Sequence, residues 1–233
     1  MQSINYLSWD SFFFGKKIGK IICNNSFELP NILDKAKNEN YELIYFFCNN
    51  EFYIEDGIIM QYNGKLVDKK ILYHKWITEL LPLSERIECY NGKLTKEFEE
   101  LAYISGQFSR FKLDKNFNED DFFRMYKIWI ENSINKKIAD YVFIVKDDER
   151  IKGMVTLKIS ERIGHIGLIA VSSAAQRKGY GKMLIKTCEN KLFVKDIFQL
   201  EVATQKNNVH ACNFYEKYGF KIKEITSIYH FWL

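Results

Sequence analysis

Val171-Ser172-Ser173-Ala174-Ala175-Gln176-Arg177-Lys178-Gly179-Tyr180-Gly181 is the stretch that decides how this chain folds. The apolar run over 165–171 ahead of it predicts a buried strand, and residues 179–193 after it predict a helix. Gly179 and Gly181 permit tight backbone turns and close approach of a ligand with no Cβ in the way. The first N–H groups of the coming helix lack partners, and its dipole places about half a positive charge at that end. Such a loop suits a pyrophosphate, and Arg177, Lys178 and Lys182 add full positive charges. It is not a Walker loop, which needs Gly-Lys-Ser/Thr, and its Gly-x-Gly is too short for a dinucleotide fingerprint. An ordinary strand–helix turn containing two glycines is the competing reading.

Working outward, Asn118 followed by three acids and a spaced set of apolar residues predicts a capped amphipathic helix. Strands are expected over 141–146 and 151–159, joined by the polar turn Asp147-Asp148-Glu149-Arg150. A strand over 199–204, a helix over 209–218 stopped by Gly219, and a final strand within 220–233 complete this half. The order describes a mixed α/β sandwich. The first half is fainter, with short apolar runs over 18–23, 43–48 and 70–74. Helices are expected over 31–39 and, after Thr95, over 96–103. A domain boundary is expected at 104/105, giving units 1–104 and 105–233.

The 233 residues are 47% hydrophobic and 16% aromatic, ample for a packed core. Lys plus Arg (34) nearly balance Asp plus Glu (30), leaving +4, and no basic block advertises nucleic-acid binding. No apolar run approaches the roughly 18–20 residues of a membrane span. The opening MQSINYLSWD lacks the basic start and apolar stretch of a signal peptide, so a cytoplasmic location is expected. Cys23, Cys48, Cys89, Cys188 and Cys212 form no Cys-x-x-Cys and read as small hydrophobes. His74, His165, His210 and His230 show no metal-ligand spacing, and no metal is expected.

The loop resembles the acyl-CoA-binding motif of the GCN5-related N-acetyltransferase (GNAT) superfamily, Gln/Arg-x-x-Gly-x-Gly/Ala after a strand that diverges from its neighbour. Asn208-x-x-Ala211-x-x-x-Tyr215-x-x-x-Gly219-Phe220 is similar to the superfamily's second signature, in the right order and on the expected helix. The resemblance implies the GNAT fold, acetyl-CoA as co-substrate and pairing of the backbone of Ile169, Ala170 and Val171 with the pantetheine arm. It also implies that Gln176, Arg177, Lys178, Gly179, Tyr180, Gly181, Lys182 and Asn208 hold the cofactor. For Asn208 a helix N-cap is the alternative.

Leu7-Ser8-Trp9-Asp10-Ser11-Phe12-Phe13-Phe14-Gly15, Ser109-Arg110-Phe111, Trp129-Ile130-Glu131-Asn132 and Val202-Ala203-Thr204-Gln205 carry a narrower resemblance. The aromatic end with Tyr229, Phe231 and Trp232 adds to it. Together they resemble the TDP-fucosamine acetyltransferases of enterobacterial common antigen synthesis, which acetylate the amine of a TDP-linked 4-amino-4,6-dideoxyhexose. That implies a nucleotide-sugar acceptor met by Trp9, Phe13, Arg110, Trp129, Thr204 and Gln205. Core packing of the aromatics and a surface ion pair for Arg110 are the alternatives.

The resemblance also implies roles in the chemistry. Tyr215 falls where many members place the acid that assists the departing thiolate. A tyrosine near pKa 10 passing its proton to a thiolate of pKa near 8.5 runs uphill by about 2 kcal/mol, so the role is a strengthening hydrogen bond. Asp68 falls where a carboxylate faces the amine, with a solvated turn as the alternative. If the amine titrates near pKa 8, about a tenth is neutral at pH 7, so a strong base is optional. Another amine acceptor, a non-catalytic acyl-CoA sensor and a homodimer are left open.

Overall fold

The computed structural model describes residues 4–22, 28–82 and 84–233. Cys23, Leu83 and the first three residues of the opening segment lie outside them. In chain order the elements begin with β1 (Asn5–Tyr6), α1 (Ser8–Phe14), β2 (Ile18–Ile22), α2 (Leu29–Asn38) and β3 (Leu43–Asn49). Next come α3 (Asp56–Gln61), β4 (Gly64–Trp76), β5 (Ile87–Cys89), α4 (Lys96–Gly106), α5 (Arg110–Leu113) and α6 (Glu119–Ile134). The chain ends with β6 (Tyr141–Asp147), β7 (Arg150–Ser160), β8 (Ile163–Val171), α7 (Tyr180–Phe193), β9 (Gln199–Gln205), α8 (Val209–Lys217) and β10 (Lys221–Trp232). This is the expected mixed α/β fold.

Contacts divide the chain into one unit of Met1–Ile71, Gln205–Asn207 and Glu224–Leu233 and another of Leu72–Thr204 and Asn208–Lys223. Residues 104 and 105 lie within α4, in the second unit. In the first unit, β2 runs parallel to β3 from Ile18↔Leu43 to Ile22↔Phe47, and β10 lies antiparallel on β3's other side. Pro30 opens α2 in the first turn, where its missing N–H costs nothing. Leu29, Ile32, Leu33 and Ala36 then form one buried stripe at helical spacing. They pack with Ile21, Ile44, Phe46 and Phe231.

One reading of this half needs correction. Residues 64–68 are not a turn: β4 starts at Gly64, so Asp68 is a strand residue, partly buried and with interaction partners. Gly64 is where the ring of Phe231 crosses the strand, and a side chain there would strike it. The opening segment forms a helix, α1, closed by Gly15 in the left-handed region at φ 63°.

In the second unit the strand order is β4, β9, β8, β7, β6, β5. Asp148 and Glu149, both at positive φ, make the two-residue turn of the β6–β7 hairpin. The helix after Asn118 is α6, with Glu119, Asp120 and Asp121 at its positive end; the Asn118 side chain makes no cap bond. α7 buries Leu184, Ile185, Cys188 and Leu192. A side chain at Gly164 of β8 would strike Leu192, so α7 covers that face of β8. α4 packs against β8 and β7 as well.

One irregularity shapes everything that follows. β7 pairs with β8 as Val155↔Ile169 and then Leu157↔Ile166, so Gly167 and Leu168 together oppose Thr156. This is a β-bulge, and the surplus residue bends its strand. Leu168 N–H donates to Thr156 Oγ1 at 2.8 Å instead of to a ladder carbonyl, which fixes the bend. On its other side β8 runs parallel to β9 only over Gly164↔Leu200, His165↔Glu201 and Ile166↔Val202. The ladder stops where the bulge begins, and the two strands part.

Candidate active site

Beyond Ile166 β8 has no ladder to β9 among the described residues, so over 167–171 the backbone groups on that edge, which come from alternate residues of the strand, have no partner in β9. Unpaired strand edges take up an extended ligand through main-chain hydrogen bonds. The chain then passes a short 3-10 turn, Ser173–Ala175, into the glycine loop. Arg177 (φ 64°) and Gly179 (φ 83°) both sit in the left-handed region, which reverses the backbone ahead of α7. Met183 N–H is the first of the helix to find its acceptor, on Gly179 O at 3.1 Å. The N–H groups of Tyr180, Gly181 and Lys182 are therefore free of intrahelical bonds at the positive end of a 14-residue helix. Beside them lies a cavity of about 300 Å³ lined by Pro82, Ser84, Gly179, Lys182, Met183 and Lys186. Free donors, a lysine pair and a pocket suit the phosphates of CoA.

Side chains of the loop divide between ligand and scaffold. Gln176, Arg177, Lys178 and Lys182 are exposed. The Tyr180 ring is buried, and its hydroxyl donates to Asp147 Oδ2 at 2.7 Å, so only its backbone faces the loop. Lys178 Nζ reaches the same oxygen at 3.0 Å, and Arg86 reaches Asp147 Oδ1 at 3.3 Å. The Tyr180 hydrogen bond, aided by the Lys178 ammonium, holds the Asp147 carboxyl below its ordinary pKa. Asp147, at the end of β6, thus clamps the base of the loop, a part that no local sequence pattern announced.

Tyr215 projects from α8. Its ring packs on Tyr73 at 5.6 Å, Phe214 at 5.4 Å and Phe220 at 5.6 Å, and 4% of the residue is exposed. No hydrogen bond to its hydroxyl is found among the described residues, whereas the Tyr73 hydroxyl is committed to Glu216 Oε1 at 2.7 Å. Burial pushes the Tyr215 pKa well above that of an ordinary tyrosine. Asn208 caps α8, its Oδ1 accepting from Ala211 N–H at 3.2 Å, so the capping alternative holds for the oxygen. Thr204, near the end of β9, is buried. Arg110, partly buried at the start of α5, lies over the Phe111 ring at 4.6 Å. Trp129 stacks within α6 and α5, 4.9 Å from Tyr126 and 6.3 Å from Phe111, as core packing would have it.

The other expected residues, Trp9, Phe13, Asp68 and Gln205, belong to the first unit. Trp9 and Phe13 stack face to face at 5.0 Å with an 8° interplanar angle, and Trp9 is 43% exposed. Among the described residues no group of three His, Cys, Asp or Glu side chains could hold a metal ion. No helix there is long and apolar enough to cross a membrane.

The raised tyrosine pKa values make a stability prediction. Burial raises Tyr215, Tyr73 and Tyr218, the last also held by a 2.7 Å hydrogen bond to Glu189. Above pH 10 the unfolded chain releases these protons while the folded chain keeps them, so stability falls as pH rises. Urea unfolding should show stability starting to fall near pH 9, where the Cys188 thiol ionises only in the unfolded chain because burial raises its pKa in the folded one, then falling more steeply above pH 10 by about 1.4 kcal/mol per pH unit for each such tyrosine. A flat profile to pH 11 would contradict it.

The splayed parallel pair, the glycine loop with its free N–H groups and the buried tyrosine of α8 suit an acyl-CoA-dependent transferase. Residues 103–220 match the Acetyltransferase (GNAT) family, and the chain belongs to it. Enzymes of this family are acetyltransferases that use acetyl-CoA. Among curated proteins it is 29% identical over 82 residues to the uncharacterized protein YxbD of Bacillus subtilis, covering 35% of this chain. It is 32% identical over 78 residues, 34% of this chain, to the uncharacterized N-acetyltransferase YvbK of the same organism. The chain spans half the length of each of these relatives. A conserved protein of unknown function from Staphylococcus epidermidis shares the fold with a TM-score of 0.68 at 12% identity, over 99% of this chain and 90% of that one. A GCN5-related N-acetyltransferase from Sphaerobacter thermophilus does so with a TM-score of 0.61 at 10% identity, over 98% and 75%.

Proposed function

We propose that this N-acetyltransferase moves the acetyl group of acetyl-CoA to the amine of a nucleotide-linked 4-amino-4,6-dideoxy sugar, TDP being the nucleotide, in surface-polysaccharide synthesis. The free N–H groups of Tyr180, Gly181 and Lys182 hold the pyrophosphate, and the open edge of β8 holds the pantetheine arm. Tyr215 gives a hydrogen bond to the sulfur as negative charge collects there. The observation that carries the acceptor reading is the parallel, partly exposed stack of Trp9 and Phe13 on α1, inside the sequence segment that resembles the sugar-nucleotide enzymes. A flat aromatic surface of this kind suits a pyrimidine or the apolar face of a deoxy sugar.

The test compares kcat/KM for TDP-4-amino-4,6-dideoxygalactose, the free amino sugar and spermidine. Binding energy from the nucleotide, remote from the amine, should orient the amine toward the thioester. The nucleotide sugar is expected to be preferred at least tenfold over the free sugar. Equal rates on the two would refute nucleotide recognition, and preference for spermidine would move the enzyme to another amine.

A further inference from the structure

Among the apolar residues that α7 buries stands Glu189, an acid with no exposed surface. Its carboxylate has one donor for each oxygen. The Lys75 ammonium of β4 meets Oε1, and the hydroxyl of Tyr218, the residue that closes α8, donates to Oε2 at 2.7 Å. Lys75 also lies over the Tyr218 ring, 4.7 Å from its centroid, so three side chains link β4, α7 and α8. Burial and the bond to Glu189 push the Tyr218 pKa far above that of an ordinary tyrosine, which keeps the donor's proton in place. Gly219, in the left-handed region at φ 97°, turns the chain directly after Tyr218, and a Cβ there would touch the Lys75 stem at 3.6 Å.

A buried ion pair is weak as a source of stability, because apolar side chains of the same volume would serve at least as well. What this one supplies is direction. Phe214 of α8 packs on the first turn of α7, where a side chain at Gly181 would come within 3.1 Å of its ring. One turn further along α8, Tyr218 makes its bond to Glu189, two turns beyond Gly181 on α7. Phe214 and Tyr218 share one stripe of α8, and Gly181 and Glu189 share one stripe of α7, so the two helices are fixed together at two points. On β4, Tyr73 adds a third by donating to Glu216 at 2.7 Å. Tyr215 stands between these fixings, and among the described residues no group bonds its hydroxyl. The place of that hydroxyl is therefore inherited from the helix that carries it.

We infer that Glu189 is a positioning residue for acetyl transfer: by holding Tyr218 it sets the rotation of α8, and with it the place of the Tyr215 hydroxyl at the departing sulfur. The inference rests on the reading that Tyr215 serves the sulfur, and not on the acceptor. Lys75 occupies Oε1 and so leaves Oε2 to the tyrosine. Glu189 touches no reacting atom and carries no proton in the reaction. Its effect is geometric, and a misplacement of about 1 Å can cost a reaction about 10²-fold. Glutamine has the same shape but accepts through one atom only. Either the Lys75 ammonium then faces N–H groups, or the Tyr218 hydroxyl must turn from donor to acceptor.

The test is a double-mutant cycle on the full chain. It reads thiol release from saturating acetyl-CoA with hydroxylamine, a nucleophile small enough to need no acceptor pocket, corrected for the reaction without enzyme. Tyr218→Phe keeps the ring and its contact with Lys75, so the fold should persist, and a thermal melt checks that. Glu189→Gln is the second variant. Each should lower turnover about tenfold, with the acetyl-CoA Kd by calorimetry within about twofold of wild type. Added to Tyr215→Phe, Tyr218→Phe should cost nothing more, because a hydroxyl that is gone cannot be misplaced. A general loosening of the fold would multiply the two losses instead, and that result overturns the proposal. Wild-type turnover in Tyr218→Phe beside a slow Tyr215→Phe also overturns it, and leaves the role of Tyr215 standing. Wild-type turnover in Tyr215→Phe sinks that role, and the positioning of Glu189 falls with it.

Discussion

Tyr215→Phe is expected to lower kcat about 10²-fold while leaving the acetyl-CoA Kd within a few fold. The substitution keeps the ring, and with it the packing on Tyr73, Phe214 and Phe220. Only the hydroxyl is lost, and no protein group among the described residues hydrogen-bonds it. A donor without a protein partner loses little in the ground state and is available when charge forms on sulfur. Burial raises its pKa, so full proton transfer is more uphill than for an ordinary tyrosine, and the hydrogen bond itself carries the effect. Removing one such donor typically costs 10²–10³ in rate. Single-turnover acetyl transfer and calorimetry separate kcat from binding. A variant with wild-type kcat would reduce Tyr215 to a packing residue.

Gly179→Val is expected to weaken acetyl-CoA binding by about 10²-fold. At φ 83° the position is one that a β-branched residue adopts only with strain, although the space where its Cβ would sit is open. The loop relieves that strain by rotating, which turns the N–H groups of Tyr180 to Lys182 away from the phosphates. Each charge-assisted hydrogen bond to an anion is worth about 1.5–3 kcal/mol, so losing one or two gives the stated factor. Because α7 starts after this residue and is packed along its buried face, the fold should persist, and a thermal melt checks that. An unchanged Kd in the folded variant would remove the loop from the cofactor site.

The parts of the site that were legible in the sequence are those encoded by local spacing. Two glycines after an apolar run, and an asparagine seven residues before a tyrosine on one helix, depend on neighbours close in the chain. Their elements, β8, α7 and α8, lie where expected. Asp147 escaped because its partners Lys178 and Tyr180 come from the far side of β7 and β8. The bulge is invisible to periodicity altogether. Gly167 and Leu168 look like two more strand residues until Thr156 is found opposite both. The same limit explains Asp68, whose glycine and lysine neighbours resemble a turn while its strand is set by pairing elsewhere in the chain.

The unfinished ladder between β8 and β9 also bears on how the enzyme lasts in solution. A sheet that stops short in its own middle has given up cohesion where an uninterrupted one would have kept it. Any thioester whose arm lies along that edge restores the missing bonds and binds only the folded chain. At a hundred times its Kd such a ligand adds about 2.7 kcal/mol to the free energy of unfolding. Shelf life and resistance to proteolysis should therefore track the acetyl-CoA concentration, and the enzyme should be most fragile when starved of its acyl donor.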